Sequence, residues 1–415
     1  MKMKLTCAAA VLCCLSTAAL AADVGGVEVT GYSRGGGVYS YNKDQQVKGG
    51  LTLGGDLQKY RLGNEGDYGV EVNIAKTFDV EGVKYKLDYM PTKWNSGNVG
   101  TEQAFVEMSG LGFAPEAKIW AGQRRLRIQD VHIVDKFLLD YGVNQGAGFT
   151  DLSVGSVKVG AALQTGDTFD KKMIAGTSAN RLNVDISDIN SNPNGKVRVM
   201  LTSVSTSGLA SSGGSGVSVN HNQSDFLVKG LTNSLFLQTS SGYAALNGQF
   251  NNFYNVYTGS TVQEYGKKSN RIADSINWQS GRFGGQAIVG YQTTKPDNSS
   301  VTTKDTSLGG RISYAYTNNF KMLVEAGTTS RKFSDNTAAQ RLNKLTIAPT
   351  IALSPDFWSR PELRFYVTRA NWNAAAATAN SATTDAAGVS QANTGFGANG
   401  RTSQTLAGVQ YEVWW

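Results

Sequence analysis

The sequence predicts an all-β fold, an 18-stranded antiparallel transmembrane β-barrel with an inward-folded third loop. Segments of about ten residues with alternating polar and apolar side chains recur eighteen times between clusters of Gly, Asn, Ser and Asp. The connections alternate between short and long, a pattern typical of barrels that cross a membrane. The chain has 48 Gly and 17 Tyr but only 7 Pro, which favours many short strands.

The N-terminus predicts export. Residues 1–21 read as a secretory signal peptide, with basic Lys2 and Lys4, an apolar stretch and an Ala19-Leu20-Ala21 cleavage site. All three cysteines lie in this segment, so the mature chain cannot form a disulfide. Residues 22–415 show no domain boundary and are expected to form a single barrel domain.

The last strand shows the alternation most clearly. In QTLAGVQYEVWW, Val409, Tyr411 and Val413 lie on one face, and Glu412 and Trp414 lie on the other. An edge strand of a soluble β-sandwich would show the same alternation. The indole among polar groups favours a barrel whose apolar face meets lipid and whose polar face meets a water-filled lumen.

The alternating segments set the expected strand boundaries. The first spans 26–41, the second 59–76 and the last 402–415, and the eighteen include 223–229 and 243–249. In the second segment, Arg61, Gly63, Glu65 and Asp67 share the polar face.

Several aromatic residues are predicted to stand in the lumen among charges. They are Tyr32, Trp358 and Trp414, with Phe236 a fourth candidate. Such a surface suits a ligand with an apolar face and a polar edge, as in a pyranose ring.

The stretch 119–151 loses its alternation after Arg125. A loop over 124–148, folded into the lumen, would explain this loss. His132 and His221 are too few and too separate for a metal site, and no nucleophile signature accompanies His132. No cofactor is indicated, and the absence of a basic block with interleaved aromatics argues against nucleic acid.

These features bring the chain close to a known family. It resembles the maltoporins, sugar-specific porins of Gram-negative outer membranes, through motifs that run from the first strand to the last: GYSRGG at 31–36, KYRLGNE at 59–65, IWAG at 119–122, DVHIVD at 130–135, WSRP at 358–361 and the closing WW. The resemblance implies a homotrimeric sugar channel in the bacterial outer membrane, in contact with its lipid, and not an enzyme.

The resemblance also implies roles for individual residues. The positions matching the aromatic slide along which sugars pass are Tyr32, Trp94, Phe236, Trp358 and Trp414. The positions matching the ionic track that binds sugar hydroxyls are Arg34, Arg61, Glu71, Asp130 and Asp135. Phe137 matches a constriction tyrosine, and Trp94 matches a tryptophan that the second loop lends to a neighbouring subunit.

The chain departs from the maltoporin pattern at several positions. Gly69 stands where a slide tyrosine is expected, and Val106 and Ile128 stand where two constriction arginines are expected. Arg124, Arg125 and Arg127 lie nearby and are candidates to replace that charge. Maltodextrin specificity therefore does not follow, and a non-specific diffusion porin remains the alternative function. A barrel enzyme or an adhesive barrel is less well supported.

Overall fold

The computed structural model describes residues 22–40, 50–251, 265–380, 383–384, 390–391, 396 and 400–415. The predicted signal peptide, 1–21, lies outside the described residues. Eighteen strands form the wall of a barrel, and we number them β1 to β18 in chain order. The first nine are Val27–Ser40, Gly69–Val80, Val83–Trp94, Gly100–Ser109, Lys118–Gln123, Gln145–Val154, Val157–Thr165, Ser178–Asn192 and Gly195–Ser207. The second nine are Gly214–Gln223, Leu231–Gly242, Lys267–Ser280, Phe283–Pro296, Thr303–Ala315, Phe320–Phe333, Gln340–Ala352, Glu362–Trp372 and Ser403–Trp414.

The barrel closes because β18 pairs with β1. Tyr32 lies opposite Trp414 and Arg34 lies opposite Glu412 in this antiparallel ladder. All other neighbouring strands in the wall are also antiparallel. A closed sheet satisfies its backbone groups without an exposed edge, which a lipid environment requires. The predicted 18-stranded antiparallel barrel is confirmed.

A few short elements lie outside the wall. They are the strands Ala22–Val24, Arg127–Val131, Lys136–Asp140, Thr383–Thr384 and Ser390–Gln391, the 3₁₀-helix His132–Val134 and the α-helix Ala374–Asn380. Among the described residues, no helix has both the length and the apolar character needed to cross a bilayer.

The wall has an apolar outer face and a polar inner face, as the alternation predicts. In β17, Leu363, Phe365 and Val367 are exposed on the outside, whereas Glu362 and Arg364 are buried on the inside. Charged side chains cost little on the inner face, whereas an Arg at the midplane of the lipid face would cost about 2–4 kcal/mol.

One end of the barrel carries short turns with aromatic side chains beside them. The turn between β12 and β13 brings Trp278 within 5.8 Å of Phe283, measured between ring centroids. Beside the turn between β14 and β15, the rings of Tyr314 and Tyr316 are 5.2 Å apart, and Phe320 lies 6.0 Å further on. This arrangement is typical of the aromatic girdle at a membrane interface. We call this the short-turn end and the opposite end the long-loop end.

The predicted number of strands, eighteen, is correct, but two of the predicted segments were wrong. The segments 223–229 and 243–249 are not barrel strands, and β6 and β10 were missed. β10 reads GSGVSVNHNQ, and its inward side chains include Ser218 and Asn220. Small polar residues that face a barrel interior look like a loop in the sequence, because neither face of such a strand is strongly apolar.

The second strand begins ten residues later than predicted. It starts at Gly69, and residues 50–68 fold into the barrel instead. The Tyr60 hydroxyl is 2.9 Å from Ser307 Oγ on β14, and the Leu62 amide donates to Glu325 on β15 at 2.9 Å. The alternation of this segment is therefore real, but its apolar Tyr60 and Leu62 are buried inside the barrel and do not face lipid.

Two glycines in the wall allow this close approach. A Cβ atom built on Gly309 or Gly327 would lie 2.6 Å or 2.1 Å, respectively, from the ring of Tyr60. Gly309 lies on β14, directly opposite Gly327 on β15. The ring of Tyr60 therefore rests on bare backbone, which fixes the depth of the inserted segment.

A second segment, 124–144, also lies inside the barrel. The Ile133 amide donates to Gln286 on β13 at 3.1 Å, and Gln238 on β11 donates to the Leu138 carbonyl at 2.7 Å. Ile133, Leu138 and Leu139 are fully buried in the core cluster that forms there. Residues 145–148, which were expected to lie in the lumen, belong to β6 in the wall.

Candidate functional site

The two inserted segments leave an open cavity of about 550 Å³ between themselves and the wall formed by β1, β2, β3, β4 and β18. Its lining residues are Tyr32, Arg34, Arg61, Asp67, Glu71, Trp94, Glu102, Arg125, Arg127, Asp130, His132, Asp135, Phe137 and Trp414. Nine of the eleven residues assigned by the resemblance are among them, so residues from distant parts of the sequence meet here. We call this space the lumenal cavity.

Three of the aromatic rings that line the lumenal cavity belong to positions assigned to the aromatic slide. Tyr32 and Trp94 are stacked, with ring centroids 6.2 Å apart and an interplanar angle of 29°. Trp414, the neighbour of Tyr32 in the closing ladder, lies 4.3 Å from the Arg360 guanidinium. The Tyr32 hydroxyl donates to Glu412 at 2.9 Å. Each ring is therefore held in place by a charged group or by another ring.

Trp94 lies in the cavity of its own barrel, contrary to the expectation that it reaches a neighbouring subunit. Gly69 explains how it fits. The two residues are opposite each other on β2 and β3, and a Cβ at Gly69 would lie 2.4 Å from the Trp94 ring. The position that lacks the expected tyrosine is therefore covered by the indole of Trp94.

Phe236 and Trp358 do not line the lumenal cavity. Phe236 points inward from β11 but is fully buried beneath the segment 124–144. Trp358 lies in the turn before β17 and packs edge-on against Phe357, with ring centroids 4.8 Å apart. The alternation of side chains along the strand predicted correctly that Phe236 points inward. Alternation does not distinguish an open lumen from an interior that a loop fills.

The cationic side of the cavity begins with Arg34 on β1. Its guanidinium contacts Glu65 at 2.8 Å, Asp67 at 2.6 Å and Asp135 at 3.3 Å. Burial alone would raise the pKa of Asp135, but nearby Arg61, Lys59 and Arg34 outweigh it and hold this pKa well below its usual range. Asp135 is therefore ionised at neutral pH.

Arg61 links the inserted segment 50–68 to the barrel wall. It contacts Glu65 and Glu412, each at 2.8 Å, and donates to the Tyr32 hydroxyl at 3.1 Å. Glu412 also binds Arg360 at 2.8 Å. This network holds the charged groups in a fixed pattern beside the aromatic rings.

Arginine side chains line the cavity near the two positions where the resemblance places constriction arginines. Arg125 contacts Glu71 at 2.8 Å and Glu102 at 3.1 Å, and Arg127 lies 4.5 Å from the Phe137 ring. Val106, at one of the expected arginine positions, faces outward and is 42% exposed.

Arg124 pairs with Glu107 at 2.7 Å. Of the three candidate replacement arginines, Arg125 and Arg127 line the cavity and Arg124 does not.

Two of the acidic lining residues were not predicted. Asp67 alternates in step with Arg61 and Glu65, so the sequence already placed it on the same polar face. For Glu102, nothing in the sequence except its charge indicated a position in the cavity.

His132 occupies the tip of the inserted segment 124–144. Its ring nitrogens lie 3.1 Å from Arg61 Nη1 and 3.2 Å from Arg360 Nη2, and Trp358 and Trp414 pack edge-on against it. Burial, reinforced by Arg61, lowers the pKa of His132 to about 3. The ring is therefore neutral at neutral pH, so one of its nitrogens accepts a hydrogen bond from an arginine and the other carries the proton. It is a hydrogen-bonded loop residue.

This arrangement predicts a pH dependence of stability. An unfolded histidine has a pKa of about 6.5, so as the pH falls from 6.5 towards 3 the unfolded chain takes up a proton that the folded chain does not. The folded state should therefore lose stability in this range. We expect the midpoint of thermal unfolding to fall less for His132→Gln than for the unmodified chain between pH 7 and pH 4. Parallel midpoint curves for the two proteins would contradict this assignment.

Comparison with known proteins agrees with the barrel fold. The sequence profile of the LamB porin family matches residues 27–415. A maltoporin from Hahella chejuensis is 26% identical over 413 residues, covering 94% of this chain and 92% of that protein.

Solved structures share the fold at low identity. OpdQ of Pseudomonas aeruginosa has a TM-score of 0.51 at 7% identity, covering 94% of this chain and 98% of its own. A BenF-like porin of Pseudomonas fluorescens has a TM-score of 0.50 at 7% identity, covering 95% and 100%. A porin is a channel rather than an enzyme. With a family match over nearly its whole length, this chain belongs to the LamB porin family.

Proposed function

We propose that this protein is a bacterial outer-membrane channel for passive, saturable diffusion of sugars. The observation that carries the proposal is the lumenal cavity, where the rings of Tyr32, Trp94 and Trp414 face the same space as Arg34 and Asp130. The C–H face of a pyranose stacks on such rings, while its hydroxyl groups hydrogen-bond to the charged groups. Binding must be weak for the sugar to leave, so a dissociation constant of about a millimolar, roughly 4 kcal/mol, is sufficient.

The aromatic surface of this channel is complete within one chain. Trp94 stacks on Tyr32 of the same barrel, and Gly69 leaves the space for it. We propose a homotrimer as the assembled form, as the resemblance to the maltoporins implies. In that trimer each lumenal cavity would bind sugar without an aromatic residue from its neighbour.

The proposal is tested by the block of ion current in planar bilayers. Single-channel conductance is measured with a panel of mono- and oligosaccharides on one side of the membrane. Saturable block by at least one sugar class supports the proposed function. Unchanged current with every sugar at tens of millimolar would refute it.

Trp94→Ala should weaken sugar block about fivefold. Stacking on one ring face removes on the order of 40 Å² of apolar area from water, worth about 1 kcal/mol at roughly 25 cal/mol per Å². Gly69→Leu should reproduce the loss, because a side chain there displaces the indole. Block is measured by current titration with the best-blocking sugar.

Trp278→Ala provides the control, since it removes an indole from the outer face at the short-turn end. Block by that variant should equal that of the unmodified channel. Equal block by the Trp94→Ala and unmodified channels would show that Trp94 does not contact sugar.

A non-specific diffusion porin is the second candidate. The observation favouring it is that Phe236 and Trp358 lie outside the lumenal cavity, which leaves a shorter aromatic surface than the maltoporin pattern implies. Conductance that depends on solute size alone, without saturable block, would favour this function.

A further inference from the structure

The outer face of the barrel carries a row of cations at the long-loop end. They lie on the five consecutive strands β12 to β16, each one residue in from the end of its strand, and all are exposed: Lys268, Lys295, Lys304, Lys332 and Arg341. We call them the rim cations. Long loops of such barrels are extracellular, so the rim cations lie at the level of the outer leaflet's headgroups.

The rim cations point away from the lumen. Arg331, which precedes Lys332, faces inward and pairs with Asp305 at 2.8 Å. Lys332 faces outward, directly opposite Lys304 in the ladder. No ion pair with a carboxylate of the described residues neutralises the rim cations. Like charges placed directly opposite one another are destabilising, so an external anion would relieve this repulsion.

An apolar groove of about 660 Å³ leads to the rim cations along the outer face. Ile272, Val289 and Leu308 line it with exposed apolar side chains. At the long-loop end of the groove, four residues on neighbouring strands lie side by side in the ladder, and the last of them is a cation. They are Tyr291, Thr306, Ser330 and Arg341. The groove therefore combines exposed apolar side chains with a basic extracellular end.

We propose that the groove and the rim cations bind a phosphorylated glycolipid of the outer leaflet, of the lipopolysaccharide class. One acyl chain would lie against Val289 and Leu308, and a phosphate would lie among Arg341, Lys332 and Lys304. The inference rests on the outer-membrane location in the proposed function.

Asp274 lines the groove beside Val289, hydrogen-bonded to Asn233 at 2.5 Å. Its carboxylate favours the phosphate at the Arg341 end.

The test uses the full-length porin in detergent and fluorescent hexa-acylated, bisphosphorylated lipid A as the probe, with binding followed by thermophoresis. The triple variant Lys304→Gln, Lys332→Gln and Arg341→Gln should bind the probe on the order of a hundredfold more weakly, at about fivefold per cation removed. Thr328→Trp, which fills the groove, should weaken binding of the acylated probe while leaving that of its deacylated bisphosphorylated disaccharide unchanged.

The matched control removes three exposed lysines that lie outside the groove: Lys84→Gln, Lys172→Gln and Lys229→Gln. It should bind the probe as the unmodified porin does. Equal binding by the rim and control variants would overturn the proposal. So would equally tight, rim-dependent binding of dioleoylphosphatidylglycerol, which would make a glycerophospholipid the occupant. Sugar block is measured on the same preparations, so loss of the lipid site and failure of the sugar-channel function are distinguished.

Discussion

Glu412→Gln should lower the free energy of unfolding by about 3 kcal/mol. Glu412 is fully buried and binds three arginines: Arg61 and Arg360, each at 2.8 Å, and Arg364. Removing one partner of a buried ion pair costs about 3–5 kcal/mol, because the remaining charge is left uncompensated. We expect the lower end of this range, since each arginine keeps a second carboxylate. The measurement is urea-induced unfolding in lipid vesicles.

Glu28→Gln is the matched control, because Glu28 lies on the neighbouring strand β1 and is exposed. Its effect should stay within about 0.5 kcal/mol, as for an ordinary surface substitution. A Glu412→Gln barrel as stable as the Glu28→Gln barrel would mean that the arginines find enough compensation elsewhere. The network would then serve only to position His132 and the segment 124–144.

Asp130→Ala should weaken sugar block by about 10- to 150-fold. Asp130 lines the lumenal cavity, and no side chain of the described residues donates a hydrogen bond to its carboxylate. It is therefore available to accept from sugar hydroxyls. A hydrogen bond to a charged group is worth about 1.5–3 kcal/mol, which corresponds to the stated range. Current titration with the best-blocking sugar measures the effect.

The same carboxylate predicts how sugar block depends on pH. Burial raises the pKa of Asp130 to about 6, so the carboxylate gains a proton as the pH falls from 7 to 5 and becomes a weaker acceptor. Block should weaken over this range in the unmodified channel and stay constant in Asp130→Ala. Neighbouring Asp135 remains ionised throughout, because its pKa is held well below its usual range. A pH dependence that persists in Asp130→Ala would assign it to another group.

The distribution of side chains between the two faces of the wall was predictable from the sequence. In β18, Glu412 lies inside and Tyr411 outside, as the alternation of QTLAGVQYEVWW predicted. Alternation is a property of the local backbone, since successive side chains of any strand point to opposite faces. It therefore predicted the barrel even where individual boundaries were wrong.

Which segments fill the lumen, and which side chains line its cavity, depended on contacts between residues far apart in the chain. The motif KYRLGNE alternates as a strand does, yet it lies inside the barrel because Tyr60 fits against the bare backbone at Gly309 and Gly327. Likewise, alternation places both Tyr32 and Phe236 on the inner face of the wall. It did not show that Tyr32 lines the lumenal cavity whereas Phe236 is buried beneath a loop.

By itself, the sequence determined that this chain is a closed barrel with a charged, aromatic interior, because alternation and turn chemistry are local. Only the tertiary structure decided which inward residues meet open space. Trp94 entered its own lumenal cavity because Gly69, its partner across the β2–β3 ladder, has no side chain. The rim cations came together because five strands end at the same level, although their positions span 74 residues, from Lys268 to Arg341. Such neighbours are set by register and packing, which no local pattern contains.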